Sequence, residues 1–141
     1  MIILDTNIIS ELMRAEPAPA VLNWITSHPG SGLFTTTLSQ AEIYYGLALL
    51  PGGKRRDELQ AAARAMFEED FASRVLAFDG SAAMVFAQIA SARRLAGRPI
   101  AQIDAQIAAI TVSRGARLAT RNVKDFEACG IELIDPWRTC A

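Results

Sequence analysis

The opening residues, Met1-Ile2-Ile3-Leu4-Asp5-Thr6-Asn7-Ile8-Ile9-Ser10, decide how the rest of the chain is read. An apolar run of strand length ends in an acid and two turn-forming polar residues, and apolar residues then resume at helical spacing. The same alternation recurs to the end of the chain. Residues 33–36, 75–78, 117–119 and 132–134 are further short apolar runs that read as strands, joining residues 1–4. Between them lie amphipathic stretches of roughly ten to fifteen residues, long enough for the crossovers that parallel strands require. One follows Asp5, and a second is led in by Pro17 and Pro19 and stops near Pro29. Further stretches span 38–50, closed by Pro51-Gly52-Gly53, and 54 to about 69. Residues 81–95 place Ala82, Val85, Phe86 and Ile89 on one face, and the last long helix runs from near Ile103 to Arg114, with Gly115 as its C′ residue. The pattern predicts a single α/β domain over residues 1–141, with the later strands laid on both sides of the first.

Composition narrows the possibilities. With 141 residues, 51% of them hydrophobic, the chain is long enough for one proper core. It contains no uncharged apolar run of eighteen residues to span a bilayer, and its start lacks the parts of a secretory signal, so the cytoplasm is the expected compartment. Two cysteines, Cys129 and Cys140, read as free thiols. A net charge of −1 argues against a protein that grips nucleic acid through a broad basic face, so any such site must be local. The basic groups at 54–56, at Arg93, Arg94 and Arg98, and from Arg114 to Lys124 read individually as solvated helix faces.

Most acids have a basic residue one helical turn away and read as surface pairs: Glu11 with Arg14, Glu58 with Lys54, Asp70 with Arg74, Glu127 with Lys124. Three do not. Asp5 ends an apolar strand, Glu42 has Leu38, Ser39, Tyr45 and Gly46 one turn away, and Asp104 has Ile100, Ala101, Ile107 and Ala108. Carboxylates in apolar surroundings are costly unless something positive compensates them, and a divalent cation is the economical candidate. Each also has a purely structural reading. Asp5 could cap a helix, Ser39-Gln40-Ala41-Glu42 fits a capping box, and Asp104 suits the first turn of its helix. In an open parallel sheet, ligands bind beyond the carboxyl ends of the strands where strand order reverses. Asp5, Glu42 and the Thr120-Arg121-Asn122 turn all fall at that edge, whereas Asp104 would have to reach it from the side.

Four segments, Ile3-Leu4-Asp5-Thr6-Asn7-Ile8-Ile9-Ser10, Thr37-Leu38-Ser39-Gln40-Ala41-Glu42-Ile43, Ile103-Asp104-Ala105-Gln106-Ile107-Ala108-Ala109 and Leu118-Ala119-Thr120-Arg121-Asn122-Val123-Lys124-Asp125-Phe126, together resemble the PIN-domain ribonucleases. The likeness is greatest to the VapC- and FitB-type toxins of bacterial toxin–antitoxin pairs, and Ile134-Asp135-Pro136-Trp137 also fits. It implies a five-stranded parallel sheet, in the order 3-2-1-4-5, flanked by helices. It further implies a homodimer and a magnesium or manganese site on Asp5, Glu42 and Asp104 that hydrolyses single-stranded RNA. A cognate antitoxin would be the partner, with DNA bound only through the toxin–antitoxin complex.

A fourth acid often follows the fourth strand in that family. Here Asn122 stands in its place, and the nearest acid is Asp125, one turn from Arg121 and able to pair with it. Asn122 is therefore grouped with the three acids as catalytic, and Thr6, Asn7, Thr120 and Asp125 are expected to support carboxylates or substrate through hydrogen bonds. An aspartyl phosphatase would need an acid at Asn7, and a receiver domain would need a lysine where Asp135-Pro136 stands. The remaining rival is a dimeric regulatory protein that keeps the pocket without turnover.

Overall fold

The computed structural model describes residues 1–138. Five strands form one parallel sheet: β1 (Ile2–Leu4), β2 (Leu33–Thr36), β3 (Val75–Leu76), β4 (Arg117–Ala119) and β5 (Leu133–Ile134), in the order β3-β2-β1-β4-β5. Six helices connect them: α1 (Thr6–Leu12), α2 (Pro19–Thr26), α3 (Thr37–Ala48), α4 (Lys54–Ala65), α5 (Gly80–Leu95) and α6 (Gln102–Ser113). No helix among the described residues is long and apolar enough to cross a membrane.

Strand side chains alternate between faces, so the central strand serves two cores at once. Ile2 and Leu4 of β1 pack with Ile8, Ile9, Val21, Trp24, Ile43 and Phe67 under α1 to α4. Ile3 points the other way and packs with Leu118, Ile107, Ile110, Ile89 and Phe126 under α5 and α6. The result is a three-layer α/β/α sandwich whose middle strands, buried on both faces, read as continuous apolar runs.

Several bounds differ from the sequence expectation. β3 ends at Leu76 rather than at residue 78, because Phe78 leaves the ladder to stack edge-on with Phe86 of α5, ring centres 5.9 Å apart. The helix expected over 54–69 is α-helical only to Ala65 and then widens into a π turn over Met66–Asp70. That turn keeps both Phe67 and Phe71 buried against the same core. α1 and α2 are shorter than ten residues, with Pro17 between them and Pro19 opening α2. Gly115 ends α6 as expected, with φ +63° and its N–H donating to the carbonyl of Val112 at 3.0 Å.

One cation read as solvated is not. Arg93 of α5 is 7% exposed and donates to the carbonyls of Arg98, Asp125 and Glu127 at 2.7, 3.2 and 2.9 Å. It ties the loop after β4 to the end of α5 and also lies 3.5 Å from the buried thiol of Cys129. Glu127 pairs with Arg98 rather than with Lys124. Arg74 does not pair with the Asp70 carboxylate; its guanidinium donates to the carbonyls of Asp70, Gly30 and Leu33. Cys140 lies outside the described residues.

Candidate active site

The strand order changes direction between β1 and β4, and the chain leaves both strands at one edge of the sheet. Asp5 follows β1 directly and caps α1: its Oδ1 accepts the Thr6 N–H at 2.8 Å. Its Oδ2 accepts the Thr120 hydroxyl at 2.8 Å, from the residue after β4. The capping role expected as an alternative is therefore real, but it uses one oxygen and leaves a carboxylate only 5% exposed at the switch point. Thr120 is a junction in its own right, since its Oγ1 also accepts the Asn122 N–H at 3.1 Å and the Asn7 side-chain N–H at 3.4 Å. Asn7 in turn accepts the Arg121 N–H at 3.3 Å, so the loop after β4 is tied to the start of α1 from both sides.

The capping-box reading of Glu42 does not hold. Thr36, at the end of β2, is the N-cap of α3, accepting the Ser39 N–H at 3.1 Å, which leaves Glu42 a turn further in and free to point elsewhere. It points across to α1, where Thr6 Oγ1 donates to Glu42 Oε1 at 2.6 Å. The same hydroxyl lies 2.9 Å from Ser39 Oγ. A hydroxyl has one proton, and the charged acceptor takes it, so Ser39 is the donor to Thr6.

Asp104 lies in the first turn of α6, half-buried and without a hydrogen-bond donor of its own among the described residues. It lines one pocket of about 460 Å³ with Asp5, Glu42, Thr6, Asn7 and Asn122. Burial raises the Asp5 pKa despite the two donors, and Glu42 and Asp125 push it further up. Asp104 is lifted to about 6, first by burial and then by Asp5, Asp125 and Glu42. Acids whose proton affinities rise because of one another share one electrostatic site. Asp125 belongs to this group through its charge, although it does not line the pocket and is exposed. It does not pair with Arg121, whose guanidinium lies instead over Trp137.

Sequence reasoning passed over the other wall of the pocket, which Ser10, Glu11, Arg14, Arg121 and Trp137 form. Glu11 is no ordinary surface partner of Arg14, being 6% exposed. The Ala18 N–H, donating at 2.8 Å, is the main reason its pKa is lowered; the Arg14 contact at 3.1 Å adds to it. An i,i+3 spacing shows the arginine but carries no sign of a backbone donor seven residues on. His28 is outside this pocket, its Nδ1 2.8 Å from the Trp24 carbonyl.

Among the described residues, no three His, Cys, Asp or Glu side chains are gathered closely enough to hold a metal ion by themselves. The donors facing the pocket are carboxylate, hydroxyl and amide oxygens. Such a set fits magnesium, which keeps several waters and takes one or two carboxylates directly, rather than a dehydrated or thiophilic ion.

A family model described as PIN domain matches residues 2–130. The VapC ribonuclease Y4jK of Sinorhizobium fredii is 41% identical over 137 residues, spanning 97% of this chain and 98% of the relative. The toxin FitB of Neisseria gonorrhoeae is 35% identical over 97% of this chain and 99% of its own. A solved structure of FitAB bound to an IR36 DNA fragment contains a chain that superposes with a TM-score of 0.92. That chain is 34% identical, and the match covers 100% of this chain and 99% of the other.

Proposed function

The chain belongs to the PIN-domain family, and from that premise we propose that it is a magnesium-dependent endoribonuclease. In this reading it cuts single-stranded RNA in the cytoplasm as the toxin of a type II toxin–antitoxin pair, folding as one domain over residues 1–141. The observation that carries the reading is the convergence of Asp5, Glu42 and Asp104 from three separate elements on one pocket, with no cation paired to any of them among the described residues. Similarity to a VapC ribonuclease and to the FitB toxin supports the reaction class and the biological role.

Magnesium, or manganese in its place, held by Asp5, Glu42 and Asp104, would supply charge neutralisation at the phosphate and a more acidic water. The chain's own residues prepare that site. Thr120 and the Thr6 N–H fix the two oxygens of Asp5, and Thr6 fixes one oxygen of Glu42 and leaves the other to act. Asn122, exposed at the pocket, offers an amide where related proteins often place an acid, and Asp125 restores the missing negative charge from close by. That compensation favours turnover over the alternative of a pocket kept only for regulation.

The antitoxin is the expected partner. A groove of about 860 Å³ continues from the acid pocket, sharing Thr6, Ser10, Arg14 and Glu42 with it, and runs over Met13, Ile43, Leu47 and Leu59 between α1, α3 and α4. An extended or helical peptide with apolar anchors fits it, and a basic side chain at its end would meet the acids. DNA contact then falls to the complex, as in the FitAB–DNA structure, because a chain of net charge −1 has no broad basic face. The exposed Tyr45 of α3 and Leu49 at its C-cap support a homodimer.

The test is cleavage of labelled single-stranded RNA with magnesium, with chelator, and with antitoxin in excess. Cutting that needs the metal and stops with antitoxin supports the reading. Equal cutting in chelator, or an Asp5→Asn protein as active as its parent, would overturn it.

A further inference from the structure

Two residues on the rim of the acid pocket have no part in the scheme above. Arg121, exposed in the loop after β4, holds its guanidinium carbon 4.8 Å from the centre of the Trp137 ring, and both side chains line the pocket with Asp5 and Asp104. The platform is anchored from behind. Trp137 is half-buried and packs against the core beneath α1 to α4, and its backbone N–H donates to Asp135 Oδ1 at 2.9 Å. The arginine's main chain is fixed as well, through its bond to Asn7. Among the described residues Arg121 makes no ion pair, whereas Arg14, the other cation lining the pocket, pairs with buried Glu11.

Stacking on an indole face restricts the long side chain while leaving the edge of the guanidinium, with its fork of N–H donors, open to a ligand. Such a fork matches the two non-bridging oxygens of a phosphodiester. The acids of the pocket repel a polyanion, so a strand entering it needs a cation at the rim, close to the reacting centre but outside it.

We propose that Arg121, seated on Trp137, is the phosphate clamp of the substrate strand, holding a phosphodiester next to the one that is cut. The proposal rests on the ribonuclease reading for the identity of the strand. Arg121 binds the strand without touching the reacting bond, so its contribution falls on substrate binding, and Trp137 acts through it as a positioning residue.

The experiment compares Arg121→Ala, Arg121→Lys and Trp137→Leu with the parent. Steady-state cleavage of a single-stranded RNA oligonucleotide gives KM and kcat, and fluorescence anisotropy over a range of potassium chloride gives binding, with each substitution repeated in the cleavage-impaired Asp104→Asn background. Loss of one charge-assisted phosphate contact should raise KM about tenfold for Arg121→Ala and change kcat by less than about twofold. The slope of log affinity against log salt should flatten by about 0.7. Lysine should restore the slope but only part of the KM, and Trp137→Leu should reproduce part of the loss with the slope intact. A parental KM and slope in Arg121→Ala overturn the clamp and leave the nuclease standing, as does a loss confined to kcat. A parent that binds RNA with an Arg121-dependent slope but never cuts it upholds the clamp and removes the nuclease. A parent that neither binds nor cuts removes both.

Discussion

Asparagine at position 104 removes a charge while keeping the outline of the side chain. Burial and the repulsion of Asp5, Asp125 and Glu42 lift the Asp104 carboxyl from 3.8 to about 6. At about 1.36 kcal/mol for each tenfold change in proton affinity, that difference corresponds to about 3 kcal/mol in a fully closed site. Asp104 is only half-buried, and solvent screening reduces the figure to about 1–1.5 kcal/mol. The folded pKa is the higher one, so the group carries no penalty below the unfolded value of 3.8, and the penalty is complete above about 6. In chelator at about pH 7.5, Asp104→Asn should therefore be more stable than the parent. For a domain of 141 residues this corresponds to a rise in Tm of about 3–7 °C, and the gap should close as the pH falls toward about 4. Magnesium should reverse the order, because only the parent gains stability by binding it well. Thermal unfolding followed by circular dichroism at several pH values, with and without magnesium, reads all of this. An asparagine protein no more stable than its parent in chelator at neutral pH would refute the claim that these acids repel one another in one site.

Glu42→Gln should lose at least about 100-fold in cleavage rate while keeping its urea midpoint, because the amide oxygen can still accept from Thr6. Parental cleavage would exclude Glu42 from the chemistry. Thr120→Val leaves buried Asp5 without one of its two 2.8 Å donors and should cost about 1–2 kcal/mol at neutral pH, measured by urea unfolding. It should also move the acidic limb of the pH–rate profile upward, since that bond now lowers the Asp5 pKa; an unmoved limb would count against Asp5 as an ionised participant. Arg93→Met strands three carbonyls and should destabilise the fold by about 2–4 kcal/mol, with residues 122–130 becoming the first segment cut in limited proteolysis.

The architecture was legible because its signal is local and repeated. Strands such as β2 and β4 are short apolar runs bounded by turn residues, and their limits agree with the sequence reading. The candidate acids were legible by subtraction, as carboxylates without a cation one turn away. What remained hidden depends on contacts between distant residues. Two hydroxyls three positions apart, Thr36 and Ser39, could each cap α3, and only the fold shows that Thr36 does so and frees Glu42. Arg93 looked like one of a solvated basic group, because no acid in the sequence announces a guanidinium satisfied by three carbonyls. The stacking of Arg121 on Trp137 joins residues from the loop after β4 and the turn after β5, and the charge pattern pointed to a pair with Asp125 instead.

The single proton of Thr6 has a consequence for how such a site can change over time. Its hydroxyl joins the ends of β1 and β2, so the orientation of Glu42 depends on a residue of another segment, and Asp5 depends in the same way on Thr120. Substituting any one of these disturbs at least two segments at once, which makes the floor of the pocket a block that can be inherited whole but altered only with difficulty. Arg121 and Asn122 sit outside that wiring as far as their side chains are concerned, exposed on a loop held by its backbone. Variation among descendants can therefore accumulate at the rim while the floor of the pocket beneath it stays the same.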